Sequence, residues 1–261
     1  IQVSQWLRQG KDVVHLISRL KGISGLFQEN AKQSGEAHLD TAQRAALVVD
    51  LKSMADIFPQ VWSVSLLHPQ SGQVLLSTES FMEGRLWGSE GFFVPGHKDI
   101  FVGSVRYSLS REAAVLFVSG PIFDGDGALL AVAAVEMNPA SLENLIETRS
   151  GLGITGQSYL VDTHGFYLTV PSHIRGKPLY KSVGSEGVRR LLSGLNGSDT
   201  YNDPRGVSVL GIYRWLGQEN IGLLVEMEAE EVAEQVNLAW REIVAVNFVL
   251  LMLMGLVAAS L

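Results

Sequence analysis

AAVLFVSGPIF (113–123), DGDG (124–127) and ALLAVAAVEM (128–137) form the stretch that decides the fold. Two apolar runs of strand length flank a tight Asp/Gly turn, the pattern of an antiparallel pair. Asn138-Pro139 then open a helix expected to reach about Thr148, with proline in its first turn. Toward the N-terminus, 99–110 reads as a further strand. VWSVSLL (61–67) and QVLLST (73–78) form a hairpin around HPQSG. Between them, 79–99 is Gly-rich and aromatic, a long loop with short helical pieces, and long loops in compact domains are often functional. A helix over 41–57 precedes the strands, with Asp40 as N-cap and Gln43 as its capping-box partner.

Toward the C-terminus the pattern repeats more briefly. QSYLVDTHGFYLTV (157–170) is a hairpin turning at Thr163-His164-Gly165, and 186–195 a short helix. Residues 199–216 form a hairpin turning at Asp203-Pro204-Arg205-Gly206, and IGLLVEME (221–228) closes the sheet. The reading is two successive five-stranded antiparallel units. Strand and helix do not alternate as βαβ, so the class is α+β.

The two ends of the chain are helical. Apolar residues at Val3, Trp6/Leu7, Val13/Val14, Leu16/Ile17, Leu20, Ile23 and Leu26/Phe27 recur at helical spacing. They predict one amphipathic helix of about 30 residues, some 45 Å long, whose apolar stripe suits homodimerisation. At the other end, IVAVNFVLLMLMGLVAASL (243–261) holds no charged residue. Nineteen residues at about 1.5 Å each span roughly 28 Å, close to a bilayer's hydrocarbon core. It is apolar on every side and follows Trp240 and Arg241, which suit an interface. A transmembrane helix is expected here.

Composition narrows the function. The net charge is −7, with no basic face of the kind nucleic acid requires. The acidic run Glu226–Glu234 reads as a solvated helix start. Cysteine is absent, which excludes disulfides, thiolate–zinc sites and thiol catalysis. GLGITG (151–156) matches G-x-G-x-x-G, but a helix precedes it and a strand follows, the reverse of a dinucleotide site. It reads as a flexible connection. DGDG lacks the remaining ligands of a calcium loop and reads as a turn. The six histidines are scattered without metal-ligand spacing. No motif calls for a metal, a cofactor or catalysis.

Three stretches resemble the double Cache sensor domains of bacterial transmembrane receptors, a group that includes histidine kinases, cyclases and chemoreceptors. They are VSGPIFDGDGALLAVAAVEMNPASLENLI (118–146), GLGITGQSYLVDTHGFYLT (151–169), and YNDPRGVSVLGIYRWL with GLLVE (201–216, 222–226). The resemblance covers roughly 35–261. It implies a signalling helix over 1–34, a membrane-distal module over 35–138 and a membrane-proximal module over 139–229. A juxtamembrane helix (230–242) and a transmembrane helix (243–261) complete it, with a first membrane helix before Ile1. Residues 1–242 would then be mainly periplasmic or extracellular, on a bacterial plasma membrane.

The resemblance also implies a site. In amino-acid-binding members an R-x-W pair holds a carboxylate, a later tyrosine assists, and an acid on the last distal strand takes the amine. Arg85 and Trp87, Arg106 and Tyr107, and Glu136 stand at those places. Guanidinium grips carboxylate bidentately and an aromatic face suits a cation. The match is partial: Ser80 stands where tyrosine is expected, Gly88 where an aromatic is, and Glu136 where the family has aspartate. The expected function is ligand sensing, with a small molecule such as an amino acid or carboxylate shifting a helix across the membrane. A membrane-tethered enzyme, signalled by convergence of Asp162, His164 and Asp203, and a ligandless spacer are the alternatives.

Overall fold

A computed structural model describes residues 2–20, 23, 41–142, 152–170, 179, 182–216 and 221–260. Fourteen longer elements follow one another in the described chain. They are α1 (Gln2–Ser18), α2 (Thr41–Asp56), β1 (Val61–Leu67), β2 (Val74–Ser77), β3 (Phe101–Val102), β4 (Arg106–Ser108), β5 (Ala113–Phe123) and β6 (Leu129–Met137). The second half holds β7 (Gln157–Val161), α3 (Glu186–Leu192), β8 (Gly197–Asn202), β9 (Ser208–Trp215), β10 (Gly222–Glu228) and α4 (Ala229–Ser260).

Two antiparallel sheets result, in an α+β fold with an N-terminal helix. The first runs β2-β1-β6-β5-β3, with β4 also on β5; the second runs β7-β10-β9-β8. The equal five-stranded units become six and four strands. The expected strand 99–110 breaks at Gly103–Val105 into β3 and β4, both paired to β5. The second arm of the 157–170 hairpin makes only isolated bridges, Val161 to Tyr167 and Phe166 to Ser182. The 113–137 hairpin forms as read. Asp124 Oδ1 accepts from the amides of Asp126 and Ala128, and Gly127 supplies the positive φ of +83° the turn requires.

α1 lies across the first sheet. Val3, Trp6, Leu7, Val13, Val14 and Ile17 are buried among Val118, Val135 and Met137 of β5 and β6. Gly10 sits at the crossing: a Cβ there would collide with Met137 and lie 2.9 Å from Val118 Cγ2. The apolar stripe is therefore buried within its own chain, and the outward face carries Ser4, Arg8, Asp12 and His15. The helix closes at Ser18, where i→i−3 bonds from Arg19 and Leu20 tighten the last turn. Its expected continuation to about residue 30, the Asp40 cap and the helix beyond Leu142 fall mostly outside the described residues.

The opposite face of the first sheet is covered by the segment between β2 and β5, which includes two 3₁₀ turns at Ser80–Met82 and Pro95–His97. Trp87, Phe92 and Phe93 from that loop pack onto Val115, Phe117, Val132 and Ala134. α4 leaves β10 without a connecting loop. Among the described residues no helix is long and apolar enough to cross a membrane. The side chains of 251–253 and 255–261 lie outside that description. Ile243, Val244, Val246, Phe248, Leu250 and Met254 are each more than half exposed.

Candidate functional site

The loop-covered face of the first sheet carries an unusual set of buried polar groups. Ser63, Ser65, Ser77, Ser119 and Glu136 are all at most 2% exposed. Register explains their convergence. Glu136 on β6 stands opposite Ser63 on β1 and Phe117 on β5, so strand alternation puts all three on one face. A buried carboxylate needs partners, and Glu136 has three donors. Ser63 Oγ donates at 2.7 Å, and Arg111 donates through Nη2 at 2.9 Å and Nε at 3.3 Å.

Arg111 lies just before β5 and also meets Glu79 at 3.5 Å. Its guanidinium sits 5.3 Å from the Trp62 ring and 5.6 Å from that of Phe81. Burial works to lower its pKa. The Glu136 hydrogen bond and the charges of Glu136 and Glu79 outweigh that and hold it above the ordinary value. Sequence reading passed over Arg111, although its place at the mouth of the deciding hairpin was a usable signal.

The five expected residues fall into three groups. Trp87 is buried edge-on against Phe92 and Phe117, at 5.9 and 5.3 Å. Arg106 joins that cluster, 4.6 Å from the Phe117 centroid, and pairs with Glu90. Glu136 is on the same sheet face but is held by Arg111, where the resemblance expects a ligand's amine. Arg85 is exposed on the outside of the loop; its Nε donates to Phe81 O and it stacks on that ring. Tyr107 is half-buried on β4. His97 Nε2, under the same loop, is buried with no partner among the described residues.

A second polar cluster lies in the second sheet. Glu226 on β10 is 1% exposed and accepts from Tyr159 (2.9 Å), Tyr201 (3.0 Å) and Gln157 (3.1 Å). It does not belong to a solvated helix start, because β10 runs through it and its side chain faces the tyrosine-lined core. Burial pushes its carboxyl pKa up, against the lowering from its three donors. Asp162 meets His164 Nδ1 at 3.5 Å, whereas Asp203 pairs with Arg205, so the two aspartates serve different hairpins. Each closes its own hairpin, Asp162 by accepting from the amides of His164 and Phe166, and Asp203 from those of Arg205 and Val207.

The glycine-rich connection also has a defined task. The amides of Ile154 and Thr155 donate to Glu231 at 2.7 and 2.8 Å, and the Thr155 hydroxyl donates as well. Gly153 holds φ +62°, and a Cβ there would collide with the Glu231 carboxylate. The loop therefore grips the first turn of α4. The Thr155 hydroxyl and the two amides hold the Glu231 pKa below the usual carboxylate value.

No family model matches the sequence, and no curated protein is detectably similar to it. Solved structures are similar in shape. The sensor domain of the Vibrio cholerae histidine kinase DctB aligns at TM-score 0.63 and 12% identity, covering 87% of this chain and 91% of that one. The ligand-binding domain of the Pseudomonas aeruginosa amino acid chemoreceptor PctC, in complex with GABA, aligns at 0.57 and 18%, covering 87% and 93%. That of the Pseudomonas fluorescens chemoreceptor CtaA, in complex with L-isoleucine, aligns at 0.56 and 10%, covering 90% and 89%. Across nearly its whole length, the chain has the fold of the sensor domains of bacterial histidine kinases and chemoreceptors, in agreement with the double Cache resemblance of its sequence.

Proposed function

We propose that this chain is the extracytoplasmic ligand-sensing region of a bacterial transmembrane receptor and is not itself an enzyme. The observation that carries the reading is the polar face of the first sheet. Buried Glu136 with its half-buried partner Arg111, four buried serines and Arg106 lie beneath an aromatic loop, in a fold shared with sensor domains. The ligand is a small carboxylate or amino acid. Its carboxylate meets Arg106 and Arg111, Trp87 and Phe117 flank its body, and Glu136 takes an amine once Arg111 turns toward the ligand. Arg85 and Tyr107 stand at the rim. The aromatic side chains fill the space over the sheet, so entry requires the loop to lift.

The units 35–138 and 139–229 act as distal and proximal modules. The apolar half of α4 crosses the membrane; its support is the charge-free sequence 243–261 and the row of exposed apolar side chains along Ile243–Leu250. A 32-residue helix is about 48 Å long, enough for a juxtamembrane turn and a span. A homodimer through α1 would have to use its polar outer face, since the apolar stripe is buried.

A thermal-shift screen of the full chain against amino acids, carboxylates and amines tests the site. A carboxylate-bearing compound should raise Tm, and Arg106→Ala should abolish the rise. Shifts only with amines lacking a carboxylate would refute the arginine role. No shift with any class would favour a ligandless spacer.

A further inference from the structure

Away from the first sheet's loop, α1 and the ends of β9 and β10 enclose a cleft of about 970 Å³. That is at the upper end of ordinary small-molecule sites, roughly 300–1,000 Å³. Arg8, Gln9 and Asp12 line it from α1, Arg214 and Trp215 from the end of β9, and Leu223 from β10.

Arg44, Arg106, Arg111, Arg190 and Arg205 each pair with a carboxylate. Among the described residues no ion pair engages Arg8 or Arg214, although both face the cleft. Among the described residues Asp12 is the single acid on the wall, so two guanidiniums stand with one carboxylate. The neighbouring polar groups are already oriented. Gln60 Nε2 donates to Gln9 Oε1, which leaves the Gln9 amide nitrogen as a donor on the cleft side. Trp215 Nε1 donates to Leu191 O at 2.7 Å, which turns its indole toward α3, so the apolar wall of the cleft comes from Phe58 and from Leu223, the register partner of Arg214.

We propose that this cleft is a second binding site, for a small organic anion whose acid group bridges Arg8 and Arg214 and whose apolar body rests on Phe58 and Leu223. Two guanidiniums on separate elements suit a multi-oxygen anion, each forming charge-assisted bonds to it. Occupancy would tie α1 to the strand pair whose last member runs directly into α4. The site is independent of the loop-covered face of the first sheet.

Binding of phthalate, phenyl phosphate and benzylamine to the full chain tests it, followed by calorimetry at constant ionic strength. Phthalate or phenyl phosphate should bind saturably, and the tighter of the two distinguishes a carboxylate from a phosphate ligand. Arg8→Ala and Arg214→Ala should each weaken binding at least tenfold. Both residues are exposed, so far-UV circular dichroism should be unchanged. Arg106→Ala should leave the affinity intact. Binding of benzylamine alone, anion binding unaltered by both Arg8→Ala and Arg214→Ala, or no saturable binding by either anion would overturn the proposal. Loss of binding in Arg106→Ala instead would place the anion on the first sheet and overturn it equally.

Discussion

Glu226 shows how one side chain can set a pH response. Its carboxylate is buried and held by three uncharged donors, so the folded state favours its protonated form more than the unfolded chain does. A folded pKa above the unfolded one means that the group's contribution is complete below the ordinary carboxyl range, near pH 4, and is lost as pH rises through the folded value. Glu226→Gln removes that loss. Both tyrosines can still donate to the amide oxygen, and the buried, unpartnered Gln157 Oε1 can accept from the new amide nitrogen. The variant should be the more stable protein at pH 8, with the gap in Tm narrowing toward pH 5. Calorimetric scans at the two pH values would show it; an equal gap at both would remove Glu226 as the titrating group. The residue was hidden in the sequence because it opens a run of acids. Only the β10 register, with Leu224 and Glu226 on one face and the chain turning helical at Ala229, separates it from its solvated neighbours.

At the scale of elements, α1 and the 113–137 hairpin carry the fold, and they were legible to different degrees. The hairpin's strands and turn could be read directly, because long apolar runs and an Asp/Gly turn have few other uses. The helical period of α1 could also be read, but not what its stripe faces. An apolar stripe fits a partner chain as well as a sheet, and Gly10 decides between them only once its contact with Val118 and Met137 is seen. Gly10→Val should therefore lift the helix from the sheet and destabilise the protein by about 1–3 kcal/mol, an overpacking cost. Urea unfolding measures it. A change within a few tenths of a kcal/mol would mean that the helix does not lie tight on β5 and β6. The candidate site was partly legible for the same kind of reason. Arg106 and Glu136 share a sheet face by strand alternation, whereas Arg85 and Trp87 sit on a loop whose direction no periodicity specifies.

The whole molecule is two sheets bridged by α1 and finished by α4. α1 reaches both: Trp6 Nε1 donates to Ser141 Oγ at 2.7 Å, just past the first sheet, while the helix's polar face walls the cleft beside β9 and β10. α4 is attached twice, covalently through β10 and non-covalently through the 152–156 loop. Glu231→Ala should leave both sheets intact and raise amide hydrogen exchange at Ile154, Thr155 and the first turn of α4 at neutral pH. Acid should do the same to the parent protein, since a carboxylate with a lowered pKa loses its contribution as pH falls through the folded value. Unchanged exchange in Glu231→Ala would show that the grip has no mechanical role. If the grip holds, it also acts as an angular reference. An α-helix turns by about 100° per residue, so the face that any later side chain of α4 presents is counted from Glu231. One residue inserted beyond that point would rotate the remaining helix by more than a quarter turn while leaving its root in place.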